Sequence, residues 1–314
     1  MSHRRVSRSS AVFAAISLGA VSFLGAGATA AGAAIPLIVT GYTLTAANGG
    51  TYAFGTAPQV GNALGVTGHP IVGVAATPDG GGYWQAASDG GVFAFGDAPY
   101  KGSLGGTKLN SPVVGIAAAP SGAGYYLVAS DGGVFTFGSQ TPFFGSLGGL
   151  RLSAPIVGMA LTPNGQGYYL LGADGAVYAF GDAVFAGTIP QELGGPSPDG
   201  NATAIAADPT GTGYLISTSQ GAIYAFGNAA FYGSPLLSGF TPDAPIVDIA
   251  YAPDGTGYWA VGADGGIFTF DATATVNKVS VTTGTADFYG SVPGEVSTAG
   301  ISTPSPVVGF TTTP

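Results

Sequence analysis

The chain has 314 residues, with 56 glycines, no cysteine, 7% charged residues, and 16 acidic side chains against 7 basic ones. So acidic a composition argues against binding nucleic acid or anionic lipid, both of which call for basic patches. The missing cysteines exclude disulfides, thiol nucleophiles and cysteine-bound zinc.

The first predicted element is an export signal over residues 1–30. Arg4, Arg5 and Arg8 precede an apolar, alanine-rich stretch, and Ala28-Thr29-Ala30 offers the small residues of a cleavage site. Cleavage is expected after Ala30, with Ala33 as the alternative, and either the general or the twin-arginine route would serve. Beyond residue 30 only Lys101, Lys108, Arg151 and Lys278 are basic, while all 16 acidic residues remain. No further apolar span follows, so no transmembrane segment is expected after cleavage.

Residues 31–314 form one repeat domain. Units begin at Gly41, Gly82, Gly124, Gly167, Gly213 and Gly257, spaced by 41, 42, 43, 46 and 44 residues. A period this regular predicts repeated supersecondary units that bury their apolar faces against one another. In the third unit, Val113-Val114-Gly115-Ile116 reads as a first strand and Tyr125-Tyr126-Leu127-Val128 as a second. Asp131-Gly132 supplies a hairpin turn, since both residues tolerate positive φ. Val134-Phe135-Thr136-Phe137 alternates as a third strand, and Phe143-Phe144-Gly145-Ser146 is a candidate fourth. Long helical periods are missing, so the fold class is all-β. Units of this size predict a closed β-propeller of six blades with about four strands each. A seven-bladed ring is the alternative. A strand over 306–311 repeats the first-strand phrase and would close the ring beside the first unit.

Two departures interrupt the period. An added loop at 190–201 contains Glu192 and Asp199, and an insertion at 272–283 contains Lys278 and reads as an extra hairpin. Such insertions often lie on a binding face. Glu192, Asp199 and Lys278 are therefore candidate binding residues, as are Trp84 and Trp259, the only tryptophans. Each tryptophan follows a tyrosine in its strand, so one member of each such pair is expected to reach an edge or groove.

Asp89, Asp131, Asp174 and Asp264 precede or open the hairpin glycines, and Asp97 and Asp182 recur in a second turn. Both sets read as structural turn residues that accept nearby backbone N–H groups. One carboxylate per loop falls short of the roughly six to eight oxygens a calcium ion takes, so no metal and no cofactor is expected. His69 is the one histidine outside the leader, and any Ser-His-Asp arrangement would have to use it. Glu192 and Glu295 are the only glutamates. No catalytic residue is assigned.

The phrase Ser130-Asp131-Gly132-Gly133-Val134-Phe135-Thr136-Phe137-Gly138, with its counterparts along the chain, resembles tandem repeats of secreted proteins of high-GC Gram-positive bacteria, the actinobacteria. Those repeats are often attached to cell-wall or extracellular hydrolases. The resemblance implies export and a propeller-like accessory module, not a reaction. The expected function is a secreted or cell-surface, non-catalytic binding scaffold for an envelope polysaccharide or a surface protein. The alternatives are a carbohydrate-active hydrolase using an Asp/Glu pair, and a self-assembling surface protein.

Overall fold

A computed structural model describes residues 41–276, 279–282, 286–292 and 305–313. The expected leader, Lys278 and Glu295 lie outside the described residues. The chain divides into Met1–Ile35 and Pro36–Pro314, and every repeat falls in the second part. Among the described residues no helix is long and apolar enough to cross a membrane.

Six three-stranded antiparallel sheets carry the repeats. Numbering strands in chain order, the first sheet joins β1 (Gly41–Ala46) and β2 (Thr51–Gly55) to β20 (Val307–Thr313). The second holds β3 (Ile71–Ala76), β4 (Gly82–Ala87) and β5 (Val92–Gly96), and the third β6 (Val113–Ala118), β7 (Gly124–Ala129) and β8 (Val134–Gly138). The fourth holds β9 (Ile156–Leu161), β10 (Gly167–Gly172) and β11 (Val177–Gly181), and the fifth β12 (Ala202–Ala207), β13 (Gly213–Thr218) and β14 (Ile223–Gly227). β15 (Ile246–Tyr251), β16 (Gly257–Gly262) and β17 (Ile267–Asp271) make the sixth. The insertion after it forms a hairpin of β18 (Thr273–Val276) and β19 (Val279–Thr282). A short helix, α1 (Ile189–Leu193), sits in the added loop, capped by Thr188, whose hydroxyl accepts from the Gln191 N–H.

The expectation of a closed β-propeller with about four strands per blade is corrected on two counts. Among the described residues, hydrogen-bonded pairing stops at three strands in every repeat sheet, and no sheet closes into a ring or barrel. The reason lies in the Phe-Gly-Ser phrase expected to form the fourth strand. Gly145 holds φ at +135°, outside strand geometry, and its equivalents Gly61, Gly102, Gly187, Gly233 and Gly290 lie between +122° and +143°. The peptide groups there are satisfied by a side chain instead of a ladder. The Tyr168 hydroxyl donates to the Gly145 carbonyl and accepts from the Phe144 N–H.

This tyrosine clasp recurs at every junction between sheets. Tyr83, Tyr125, Tyr214 and Tyr258 donate to the carbonyls of Gly61, Gly102, Gly187 and Gly233 in the preceding unit. Tyr42 donates to Gly290 at 2.6 Å, so the first sheet clasps the loop that follows the sixth. One backbone bond also crosses each junction, from Val113 N–H to the Ser88 carbonyl, for example, and from Val307 N–H to the Ala263 carbonyl. Burial pushes the Tyr42 and Tyr258 hydroxyls up to about 12, with their backbone hydrogen bonds pulling the other way, so both stay donors at any ordinary pH. Removing one clasp with Tyr168→Phe leaves a backbone donor and acceptor without their partner. A loss of about 1–3 kcal/mol is expected in urea unfolding. An unchanged midpoint would show that the clasp adds nothing.

Apolar packing between sheets explains the paired aromatics of the middle strands. Neighbouring side chains of a strand point to opposite faces, and here both faces are covered. Trp84 meets Tyr125 of the next sheet at 5.3 Å between ring centroids, Tyr126 meets Tyr168 at 5.8 Å, Tyr169 meets Tyr214 at 4.9 Å, and Trp259 meets Tyr42 at 6.4 Å. Each clasp tyrosine also stacks on a phenylalanine of its own sheet, as Tyr168 does on Phe180 at 5.5 Å. The expectation that one aromatic of each pair reaches an edge or groove is therefore corrected: Tyr83, Trp84, Tyr258 and Trp259 are all buried. The first junction adds a buried amide. There Gln85 replaces the aliphatic residue of other units, accepting from the Ala63 N–H and donating to Thr45 Oγ1 and the Gly49 carbonyl.

Candidate binding surface and first-strand cavity

The described residues among the sites suggested by the sequence fall on different elements of the fold. The Trp84 indole N–H donates to the Pro99 carbonyl at 3.0 Å and that of Trp259 to the Asp287 carbonyl at 2.9 Å. Buried and so bonded, neither ring offers a face to a ligand. Glu192 is exposed on α1, and Asp199 accepts from the Tyr224 hydroxyl at 2.9 Å, which ties the added loop to the fifth sheet. In the hairpin turns Asp89, Asp131, Asp174 and Asp264 accept from the N–H groups of Gly91, Gly133, Ala176 and Gly266. Asp97 accepts from the Thr77 hydroxyl; Asp182 accepts from Thr162 and from the Asn164 amide at 2.6 Å. His69 stands on the surface with Nε2 3.8 Å from Asp89 Oδ2.

Two features escaped the reading of the sequence. The first is an exposed aromatic row. Tyr100, Phe143, Phe185, Phe231 and Phe288 occupy the same position in five successive units, each between 45 and 59% exposed. The peptides on both sides of each ring are held. The carbonyl before it accepts from a buried side chain: Pro99 from Trp84, Pro142 from Tyr126, Val184 from Tyr169, Ala230 from Tyr251 and Asp287 from Trp259. The N–H after it donates to the clasp tyrosine of the following sheet: Lys101 to Tyr125, Phe144 to Tyr168, Ala186 to Tyr214, Tyr232 to Tyr258 and Tyr289 to Tyr42. In the fifth unit Leu215 replaces the middle-strand aromatic, and Tyr251 of the sixth sheet makes the bond in its stead. In the first unit Gln59 replaces the exposed ring and Thr43 replaces the clamping aromatic.

The second is a cavity of about 90 Å³ lined by the first strands of the sheets, β3, β6, β9, β12 and β15, together with β20. That volume admits a few water molecules. Asp248 is its one titratable lining residue among those described. It stands where the first-strand phrase elsewhere has Gly73, Gly115, Gly158, Ala204 and Gly309, just past the register shift that opens each of these strands. Its Oδ1 accepts from the Ile249 N–H and its Oδ2 from the Phe310 N–H at 2.9 Å, bridging β15 to β20. Burial drives its pKa from 3.8 up to about 7, against the opposing pull of the two N–H groups. A break in the Pro-x-Val-Gly phrase was the signal available in the sequence.

A groove of about 300 Å³ between the second and third units brings Asp79 beside Asp97, with Thr77 and Ser121 along its walls. The Thr77 hydroxyl and then the Gly81 N–H hold the Asp79 carboxyl below the usual range. That shift is opposite in direction to the one a general acid requires. Among the described residues no three His, Cys, Asp or Glu side chains gather as a metal site would require. No protein-family profile matches the chain, and no curated protein matches it significantly.

Proposed function

We propose that this chain is an exported, secreted or cell-surface binding scaffold without catalytic function, whose ligand is an envelope polysaccharide or a surface protein. The row of exposed rings carries this reading. Each ring leaves about half of its surface in water, and an apolar side chain set in water at the same structural position in five units favours recognition over packing. The middle-strand aromatics and the hairpin-turn carboxylates are engaged within the fold, which leaves the exposed rings for contact. The export part of this reading is supported by the leader expected over 1–30, and the scarcity of basic side chains directs the scaffold away from nucleic acid and anionic lipid.

The test is co-sedimentation of the mature chain with cell-envelope fragments, with and without prior protease treatment of the fragments. Saturable binding is expected. Absence of the protein from the pellet in both samples would reject a recognition role, and loss confined to the protease-treated sample would make the ligand a protein.

A further inference from the structure

Resting on that binding role, we infer that Tyr100, Phe143, Phe185, Phe231 and Phe288 are successive stacking platforms for a single polysaccharide chain of neutral or amine-bearing sugars. Three observations select this occupant over a protein. First, the rings recur at one position in the second to sixth units, and the two residues before each are polar or small except for the half-exposed Val184: Ala98-Pro99, Thr141-Pro142, Ala183-Val184, Ala229-Ala230 and Ala286-Asp287, while the other exposed apolar run, Leu236, Leu237 and Phe240, belongs to the fifth unit alone. A protein partner needs a contiguous apolar centre with an excluded-water rim, whereas a pyranose needs one aromatic face for its C–H side and polar neighbours for its hydroxyls. Second, identical contacts repeated once per unit match a ligand that repeats along its own length, which gains strength by avidity.

Third, the rings are preorganised. Each is the residue between two clamped peptides, so its backbone is ordered before any ligand arrives and less entropy remains to be lost on binding. The clamps follow the ring. Where Gln59 replaces the aromatic, Thr43 replaces its clamp, and where Leu215 cannot clamp, Tyr251 supplies the bond and Phe231 is present. Charge complementarity sets the sugar type. Asp97 and Asp182 lie three residues before Tyr100 and Phe185, and Asp287 adjoins Phe288. With four basic residues beyond the leader, an acidic polymer would be repelled.

Affinity electrophoresis of the mature chain in gels containing hydroxyethyl cellulose, glycol chitosan or polygalacturonate tests this. The wild type should be retarded by one or both of the first two polymers and not by the third. Phe143→Ala should weaken retardation about 3- to 10-fold, and Tyr100→Ala/Phe143→Ala/Phe185→Ala about 100-fold or more, with the unfolding midpoint unchanged. Phe143→Trp should retain binding, and its added indole emission should shift to the blue on addition of the polymer, a readout independent of the alanine variants' stability. Retardation in none of the gels, retardation by polygalacturonate alone, or an undiminished triple variant would each overturn the inference. Envelope fragments separate this from the broader role. Equal pelleting of wild type and triple variant rejects the platforms and keeps the scaffold, while pelleting of neither rejects both.

Discussion

Gly145→Ala should lower the unfolding free energy by about 3–5 kcal/mol, whereas Gly149→Ala, four residues along the same loop, should cost only about 1–2 kcal/mol. Both glycines hold positive φ, +135° and +85°, so each alanine suffers backbone strain. They differ in what the new methyl meets. At Gly149 nothing lies within 4 Å, but at Gly145 a Cβ would sit 2.7 Å from Cδ1 of Phe180. That ring is itself fixed against the clasp tyrosine Tyr168, so it cannot yield without loosening the junction between the third and fourth sheets. The same contact recurs at Gly187 against Phe226 at 3.0 Å and at Gly290 against Phe54 at 2.5 Å. Urea unfolding of the two variants beside the wild type reads the difference. Equal costs would mean that backbone strain alone governs this position and that the ring contact is slack.

Asp248 should make the protein less stable as pH rises from about 4 to 7, and Asp248→Asn should remove that slope. The carboxyl has a folded pKa of about 7 against 3.8 in the open chain. Below 3.8 it is protonated in both states and costs nothing. Between the two values the folded state holds a proton that the unfolded state has lost, so stability falls with rising pH and levels off above 7. The full shift corresponds to about 4 kcal/mol, and the space for water in the cavity reduces the expected cost to about 2–4 kcal/mol. The other cavity-lining residues, from β3, β6, β9, β12 and β20, carry no titratable group that could compensate. Asparagine keeps the shape and avoids the buried charge, although it can accept from only one of the Ile249 and Phe310 N–H groups. The variant should therefore be the more stable at pH 8 and the less stable at pH 4. Thermal unfolding across pH 4–8 decides it, and parallel curves for the two proteins would mean that Asp248 does not titrate in this window.

The proposed binding surface and the stability of the fold meet at the same residues. Tyr125, Tyr168, Tyr214, Tyr258 and Tyr42 join neighbouring sheets and also hold the peptide that follows each exposed ring. Trp84 and Trp259 act from the other side of the ring. As ligand contacts they are excluded by burial, but they are what orients the residues that reach solvent. A substitution in the clamp is thus expected to disturb both properties, and one in the ring itself only the second.

Much of the repeat was legible from residue order alone. Its six copies, the three alternating strands, the Asp-Gly turns, the pairing of the strand near 306–311 with the first unit and the hairpin in the late insertion all depend on interactions within about forty residues or on a phrase visibly repeated. The residue pattern could not say that Phe-Gly-Ser leaves the sheet, because its φ and its hydrogen-bond partner come from a tyrosine of the following unit. The same holds for Tyr-Trp, where both rings proved buried because each face of a sheet is covered by a neighbour. Asp248 looked like one more aspartate until six first strands were brought around one cavity and its carboxylate was found between β15 and β20. Local propensity and periodicity are properties of the chain; which peptide a side chain clasps, and which of five phenylalanine or tyrosine rings is left facing water, depends on distances between units that only packing sets.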